Sequence, residues 1–268
     1  MYATTLAADI RELLREQRDY RDLLVRITAR DLLLRYKQTA MGAAWAVFMP
    51  LLNTAMFTVI FTRVAPIDTG MPYPLYAYCG LVTWNWFASS TRFAMTSLTS
   101  NATLVTKVYF PREALPFSAV IVGFVDLLVA SLVLVGLMAY YGVAPGWSLL
   151  FLPVVILVQL LFTAGIALLG AMGNLFYRDV KYLFEIVITA WMFGTSVVYP
   201  VDRVGGRLSW FLALNPMTPI IDAYRAVLLE GTLPPLAPFG AAAVASVVLF
   251  ALAWLGFHRA EFRFAENI

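Results

Sequence analysis

The chain has 268 residues, of which 61% are hydrophobic and only 13% carry a charged side chain. A soluble domain of this length cannot bury that much apolar surface, so the composition excludes a water-soluble protein. The net charge of +3 gives no indication of a nucleic-acid partner, and the single cysteine, Cys79, excludes an intrachain disulfide. We therefore predict an all-α integral membrane protein that forms a single membrane domain over residues 1–268.

The first predicted element, residues 1–37, is an amphipathic helix on the membrane surface. Its arginines alternate with apolar residues at near-helical spacing, which include Leu13, Tyr20, Leu24, Ile27 and Leu34. This pattern favours a helix that lies on the cytoplasmic leaflet, with its apolar face in the lipid and its cations among anionic headgroups. The alternative is a solvated coil before the first span.

Six apolar segments follow, and each is long enough to cross the hydrocarbon core as a helix, which takes about 20 residues. They are residues 41–62, 75–98, 115–141, 147–176, 182–199 and 236–257, of which the fifth is only just adequate. The segments 1–37, 101–113 and 177–181, with the tail after residue 257, hold fourteen Lys and Arg, whereas the opposite side holds four. The positive-inside rule therefore predicts that both termini lie in the cytoplasm.

The segment 201–235, before the last span, does not have the pattern of a span. Its first apolar run is too short to cross, and Pro216 and Pro219 then interrupt any helix. We expect two short helices that dip into the outer leaflet and return, because such backbone is tolerated against protein or a wet cavity. The candidate residues of this re-entrant segment are Asn215, Pro216, Asp222 and Arg225. The alternative is an external loop with surface helices.

Two ionisable residues, Arg92 and Asp126, lie inside the second and third predicted spans. A charge at that depth is costly unless it is paired or meets water. Because a short loop joins these spans, we expect them to be neighbours and predict a buried Arg92–Asp126 ion pair. The alternative is that Arg92 reaches the cytoplasmic headgroups while Asp126 faces an aqueous path.

The sequence lacks the motifs of the common catalytic, metal and nucleotide sites. His258 is the only histidine, so no histidine pair with metal-ligand spacing is present. None of the three lysines follows a G-x-x-x-x-G-K-[ST] loop, which argues against ATP binding in that mode. We expect no catalytic residue, metal or cofactor in this chain.

Aromatic residues make up 15% of the chain, and many of them lie inside the predicted spans. For any single ring, the simpler interpretation is lipid contact or a packed core. As a population they could line a path, because aromatic rings stack on the apolar faces of sugar rings. The candidate lining residues are Trp45, Phe57, Trp84, Trp86, Phe87, Trp191 and Tyr199.

Five motifs occur in order across nearly the whole chain. They are RDLLLRYKQTAMGAAWAVFMPLL (30–52), PYPLYAYCGLVTWNWF (72–87), NATLVTKVYFPREALP (101–116), NLFYRDVKYL (174–183) and LNPMTPIIDAYR (214–225). Together they resemble the permease subunit of type-2 ATP-binding-cassette exporters of polysaccharides, such as O-antigen, capsule or teichoic acid. The segment GTSVVYPV (194–201) departs from the family pattern, in which a proline is expected nearer its start.

The resemblance implies a homodimer of this chain with two copies of a separate ATPase, which binds ATP and Mg. It implies a lipid-linked polysaccharide as substrate and the bacterial inner membrane as location. The loop 101–113 would be the coupling helix, with contacts to the ATPase from Leu104, Val105, Lys107, Val108, Tyr109, Phe110 and Arg112. The cytoplasmic entrance would lie at Arg35, Tyr36, Lys37, Tyr177, Arg178 and Asp179.

Three other functions remain open from the sequence. An exporter of a drug or small lipid on the same scaffold would have a closed apolar pocket instead of a continuous aromatic path. An integral membrane transferase would need clustered acids or histidines at one interface, for which only Asp202, Asp222 and Glu230 are outer candidates. A scaffold subunit would have no transport activity of its own.

Overall fold

The structure is a computed structural model, and it describes residues 20–37, 39–200, 212 and 214–264. Throughout these ranges the regular elements are helices and no strand is present, which confirms the predicted all-α fold. Four helices of the described ranges are long and apolar enough to cross a membrane: Gly42–Val64, Ala114–Tyr141, Trp147–Phe176 and Leu236–Arg263. The protein is therefore a multi-pass membrane protein.

The α-helices of the described ranges are numbered here in chain order. They are α1 (Arg21–Tyr36), α2 (Trp45–Val59), α3 (Tyr73–Ser100), α4 (Ala102–Lys107), α5 (Ala114–Tyr141), α6 (Leu152–Phe176), α7 (Val180–Phe193), α8 (Met217–Arg225) and α9 (Leu236–Ala260). Short 3-10 turns precede α2 and α6 and follow α9, at Gly42–Ala44, Trp147–Phe151 and Glu261–Arg263. Single π-turns, Ile60–Val64 and Ala226–Glu230, extend α2 and α8.

α3 lies at the centre of the fold and packs against α2, α5, α6, α7 and α8. Polar side chains join it to its two main neighbours by hydrogen bonds to backbone carbonyls. These bonds are Tyr78 to Ala130 (3.0 Å), Trp86 to Val120 (3.2 Å), Gln159 to Thr83 (2.7 Å) and Asn174 to Met95 (2.9 Å). Such bonds satisfy polar groups that have no water partner within a membrane, so they hold α3 between α5 and α6.

The predicted second span corresponds to α3, but its character differs from the other long helices. Its 28 residues extend ~42 Å at 1.5 Å per residue, which is ample to cross a membrane. Nevertheless α3 is not among the four helices that are apolar enough to do so by composition. Because most of its residues are buried by neighbouring helices, α3 depends on protein contacts for its apolar environment.

The predicted fifth span, 182–199, is wrong in its second half. α7 ends at Phe193, and its 14 residues extend only ~21 Å. Beyond it Gly194 and Thr195 begin a series of turns. The Asn215 side chain donates hydrogen bonds to the Gly194 carbonyl (2.8 Å) and the Thr195 hydroxyl (2.7 Å), and it accepts one from Trp191 (2.9 Å). Asn215 therefore stabilises the end of α7 at this point.

The second half of the predicted re-entrant segment forms α8, which is buried against α3 and α6. Met217, Ile220 and Ile221 are fully buried, which disagrees with a loop that lies on the surface. Residues 201–211, the first half of the predicted segment, lie outside the described residues. Pro216 directly precedes α8, where its missing N–H costs no helical hydrogen bond.

Arg225, at the end of α8, is 3% exposed and fixes this helix to its neighbours. Its guanidinium donates to the Val197 carbonyl (2.8 Å), to Ser196 (3.2 Å) and to Asp222 (3.0 Å). It also lies over the Tyr76 ring of α3, 3.6 Å from the centroid. These contacts join α8, the turns after α7 and the start of α3 in one buried polar network.

α1 packs against the helical bundle on one side and exposes an apolar surface on the other. Ile27 is buried against the bundle, and the Ser118 hydroxyl of α5 donates a hydrogen bond to Asp31 (2.5 Å). Val25, Leu33 and Leu34 are more than 60% exposed and form the free apolar surface of the helix. The upstream half of the predicted interfacial helix, residues 1–19, lies outside the described residues.

Candidate functional site

α3 exposes a narrow polar stripe along an otherwise buried helix. Between residues 75 and 98 only five of its residues are not buried: Asn85, Ser89, Arg92, Phe93 and Thr96. At 3.6 residues per turn these positions share one side of the helix, and they extend over ~17 Å. We call this set the α3 stripe. Four of its five side chains are polar, so this side of α3 is suited to water or polar partners and not to lipid.

Two adjoining cavities lie between the α3 stripe and the C-terminal end of α1. The larger, about 390 Å³, is lined by Asn85, Ser89 and Arg92 together with Arg35, Asn53 and Asp126. The smaller, about 270 Å³, is lined by Phe93 and Thr96 together with Asp31 and Asn101. Because Arg35 lines both, we treat them as one feature, the α3 groove. The groove follows α3 from its middle to its C-terminal end.

α2 forms part of the wall of the larger cavity, where Pro50 makes it more polar than its sequence suggests. Proline has no N–H, so the carbonyl of Ala46, four residues earlier, lacks its helical hydrogen bond. Both residues line the cavity, as does Asn53, and Trp45 is 37% exposed beside them. α2 therefore presents polar groups and an aromatic ring to the same groove.

Asp126 of α5 is paired with the end of α1. Its carboxylate lies 2.8 Å from the Arg35 guanidinium and accepts a hydrogen bond from Tyr36. Arg35 also lies over the Phe93 ring, 4.5 Å from the centroid. Burial and the hydrogen bond to Asp126 raise the pKa of Tyr36, so its hydroxyl remains a donor. The predicted Arg92–Asp126 pair is wrong because α1, which was expected to lie on lipid, supplies the partner of Asp126.

Arg92 is paired instead with Glu185 of α7, at 2.9 Å. The two side chains remain 41% and 54% exposed, so the pair lies on the surface of the chain. α7 is itself open to its surroundings, since Ile188 is its one buried residue. The Arg92–Glu185 pair continues the polar character of the α3 stripe onto α7.

Most of the predicted aromatic lining belongs to the core of the chain. Trp84, Trp86 and Phe87 are at most 3% exposed and Phe57 is 8% exposed, so these rings are mostly enclosed by protein, although Trp86 is among the residues that line the larger cavity. Trp84 and Phe87 pack edge-to-face with Trp191, at centroid distances of 6.4 and 5.2 Å. Within the chain, Trp84 and Phe87 fill the space between α3, α6 and α7, whereas Trp86 packs against Phe124 of α5. Tyr199 is half-buried and donates a hydrogen bond to the Phe193 carbonyl.

The predicted coupling segment has an outer and an inner face. Lys107, Val108 and Tyr109 are exposed, with Tyr109 at 77%, and Leu104 is half-buried. Val105 and Phe110 are buried at 1% and 2%, so they cannot contact a partner as predicted. They pack in a cluster with Leu98, Leu115, Phe257 and Phe264. Val105 is the one buried residue of the short helix α4, so the opposite side of the helix is exposed.

Arg112 also faces inward, contrary to the prediction that it contacts a partner. Its side chain is only 15% exposed and lies beside Glu261, in the 3-10 turn after α9. One guanidinium nitrogen donates to the Glu261 carbonyl and the other to the Val105 carbonyl at 3.3 Å. The Arg112 backbone N–H donates to the Glu261 carboxylate at 3.2 Å. Arg112 thus connects the end of α4 to the C-terminal turn.

The neighbouring Glu113 extends this network to α9. Glu113 is fully buried, and its carboxylate accepts a hydrogen bond from Trp254 at 3.3 Å. His258 lies 3.7 Å from Glu113 and 3.8 Å from Glu261, where a protonated imidazole would be paired with both carboxylates. The sequence analysis did not group these residues, because more than a hundred positions separate Glu113 from the other two. No local spacing in the sequence could have joined them.

The six predicted residues of the cytoplasmic entrance do not form one cluster. Arg35 and Tyr36 line the α3 groove, and Lys37 is exposed next to them. Tyr177, Arg178 and Asp179 form the exposed turn between α6 and α7, and neither of the two cavities includes them.

Comparison with known proteins identifies the class of protein that has this helical domain. The profile of the ABC-2 type transporter membrane family matches residues 22–229. The chain belongs to this family, which confirms the resemblance found in the sequence motifs.

Three curated relatives carry the name O-antigen export system permease protein RfbA. The Myxococcus xanthus protein is 33% identical over 259 residues, which cover 96% of this chain and 99% of that protein. A Klebsiella pneumoniae protein is 31% identical over 249 residues, or 91% and 94% of the two chains. A second from the same species is 32% identical over 213 residues, or 79% and 82%. This chain is thus similar to transport permeases along almost its whole length.

Proposed function

We propose that two copies of this chain and two copies of a separate ATPase export a lipid-linked polysaccharide, such as O-antigen, across the bacterial inner membrane. The names of the relatives support the substrate class, and the family supports an ATP-binding-cassette partner. The absence of a nucleotide-binding loop from the sequence agrees with ATP hydrolysis in another subunit. ATP and Mg would bind to that subunit.

The observation that carries this proposal is the exposed α3 stripe at membrane depth. Arg92 lies eight residues before the end of α3, or ~12 Å from it, and Asn85 lies deeper still. Polar side chains at such depth face a protein partner or a water-filled path, because lipid does not solvate them. Two copies of the chain that face each other through this surface would enclose a path between the stripes.

The chemistry of the α3 stripe suits a sugar polymer. Amides, hydroxyls and an ion pair can exchange hydrogen bonds with sugar hydroxyls as successive residues pass. Phe93 and Trp45 supply exposed aromatic rings beside them, at 50% and 37%. The path is therefore mainly polar, with fewer aromatic residues than the sequence analysis predicted.

For the topology, we propose six crossings with both termini in the cytoplasm. The four strongly apolar helices would be joined by α3, which its neighbouring helices bury, and by α7 with the turns that follow it. α8 would then be the returning half of an external re-entrant segment. In this orientation the α3 groove opens towards the cytoplasm near α1, where a lipid-linked substrate would enter.

The proposed contact with the ATPase is the outer face of the coupling segment. Lys107, Val108 and Tyr109 are exposed together on the loop between α3 and α5. An exposed tyrosine beside a lysine suits such a contact, because tyrosine is over-represented among the residues that contribute most of the binding energy at protein interfaces.

A bacterial strain that lacks the chain tests the proposed function. We expect the loss of surface polysaccharide and the accumulation of lipid-linked polymer inside the cell, both reversed by the wild-type chain expressed with its ATPase. Unchanged surface polysaccharide in the deletion strain would overturn the proposal.

Asn85→Leu with Ser89→Leu should reduce export at an unchanged protein level. Thr62→Leu, the same kind of change at an exposed hydroxyl in the π-turn that extends α2, should not.

A further inference from the structure

The coupling segment is fixed to the C-terminal turn of the same chain, and this connection is more extensive than a loop requires. Arg112 alone makes three contacts, to Val105 at the end of α4 and to two groups of Glu261. The next residue, Glu113, directly precedes α5 and accepts a hydrogen bond from Trp254 of α9. A displacement of α4 is therefore passed to the start of α5 and to the end of α9 together.

The C-terminal turn is itself anchored in the core, so it can resist a force. The Phe264 ring is fully buried and lies 4.9 Å from the Phe257 ring of α9. It also lies 6.0 Å from the Phe176 ring, at the end of α6. Closely packed rings transmit displacement instead of absorbing it, because protein cores have little free volume. The turn thus connects α4 mechanically to two membrane helices, α6 and α9.

Charge makes the connection specific. A carboxylate oxygen of Glu113, a carboxylate oxygen of Glu261 and a ring nitrogen of His258 all lie within 4.8 Å of one another. Within the described part of the chain, one oxygen of the fully buried Glu113 has no hydrogen-bond partner. Arg112 supplies a permanent positive charge beside Glu261. Removal of Arg112 would leave two carboxylates close together without that charge, so the segments would separate.

We propose that Arg112 and Glu261 are positioning residues that transmit the movement of the coupling segment to α5 and α9 during transport. The proposal rests on the proposed function, because it assumes that an ATPase acts on the outer face of the coupling segment. Neither side chain belongs to that outer face, which consists of Lys107, Val108 and Tyr109. Loss of the Arg112–Glu261 contact should therefore uncouple ATP hydrolysis from export, while the ATPase still binds.

The test uses the complete complex with its ATPase in proteoliposomes or in cells. Three quantities are measured for each variant: the ATPase that co-purifies, the rate of ATP hydrolysis, and the polymer exported per ATP. For Arg112→Gln and Glu261→Ala we expect normal co-purification and hydrolysis, with polymer per ATP reduced by about fivefold or more. Glu261→Gln keeps an acceptor oxygen for the Arg112 N–H, so the amount of polymer exported per ATP should stay close to that of the wild type. Arg263→Gln, in the same turn, is the control for loss of an exposed charge.

The outcomes separate this inference from the proposed function. If the wild-type complex exports no polymer, the proposed function fails. If the wild-type complex exports and Arg112→Gln keeps the full ratio, the inference is overturned. It is also overturned if both variants lose the ATPase, since the residues would then belong to the docking surface. A fall in export that only matches a fall in protein level would equally refute it, because it would indicate a purely structural role. Glu261→Ala retains the backbone acceptor for Arg112 and provides the second measurement if Arg112→Gln fails to fold.

Discussion

The Arg92 guanidinium lies 2.9 Å from the Glu185 carboxylate, yet both side chains stay 41% and 54% exposed. An ion pair with this exposure contributes little to the stability of a single chain, about 0–1 kcal/mol. Its position matters more than its energy, because it places a pair of charges on the surface that α3 and α7 share. This surface is the one that the proposed path requires.

The Arg92–Glu185 pair should therefore affect transport more than folding. Arg92→Gln and Glu185→Gln should each change the free energy of unfolding by less than about 1 kcal/mol. Export of polymer should fall several-fold in each, because the polar path is altered. Thermal melting in detergent and surface polysaccharide are the two measurements. A large loss of stability with unchanged export would show that the pair is structural.

The Arg35–Asp126 pair should behave in the opposite way. Its side chains are only 21% and 14% exposed, so removal of one partner leaves a mostly buried charge. Asp126→Leu should lower the free energy of unfolding by about 2 kcal/mol. This is less than the cost of breaking a fully buried pair, because both side chains are partly exposed. Arg35→Leu combined with Asp126→Leu should recover much of this loss. If the two single losses instead add, the residues do not interact.

The two faces of the coupling segment should give different phenotypes when truncated. Phe110→Ala removes a ring that is 2% exposed and should cost about 3–5 kcal/mol of stability. Tyr109→Ala removes a ring that is 77% exposed, so stability should change by about 0.5 kcal/mol or less. Tyr109→Ala should nevertheless reduce the ATPase that co-purifies. Equal ATPase binding by the wild type and Tyr109→Ala would contradict the proposed docking face.

The contact between α8 and α3 leaves no room for a side chain at Gly80. A Cβ atom there would lie 2.4 Å from both the Arg225 guanidinium and the Val197 carbonyl. Gly80→Ala should therefore destabilise the protein by about 1–3 kcal/mol, since the Val197 backbone cannot easily move. Gly136→Ala in α5 is the matched control. Apart from its chain neighbours and the backbone of its own helix, no heavy atom of the described residues would lie within 4 Å of a Cβ there, so alanine should be neutral or should stabilise the helix.

The sequence was sufficient for the fold class because long apolar runs and basic loops are local signals. It was also sufficient for the family, through motifs that cover the whole chain. It failed for the partners of Asp126 and Arg92, because these depend on how α1 and α7 dock against α5 and α3. The buried state of Trp84 and Trp86 was equally unreadable, since an aromatic residue has the same local pattern in a core and in a path.

The sequence does contain a local signal for the α3 stripe. Asn85, Ser89, Arg92 and Thr96 recur at intervals of three or four residues within a predicted span. Such spacing places polar side chains on one side of a helix, and it predicts the α3 stripe directly. The Glu113–His258–Glu261 group carried no comparable signal, because its members meet only through the packing of α9 against the rest of the bundle.

The polar character of α3 also bears on how the protein enters the membrane. Insertion of a helix from the ribosome depends on its own hydrophobicity, and polar residues near its centre oppose it. α5 and α6 are synthesised after α3, and both belong to strongly apolar segments, Ala114–Tyr141 and Trp147–Phe176. α3 should therefore remain only weakly inserted until α5 and α6 emerge and cover it. Insertion of this protein would then be a cooperative event of several helices, in which α3 acquires its final position only after α5 and α6 have emerged.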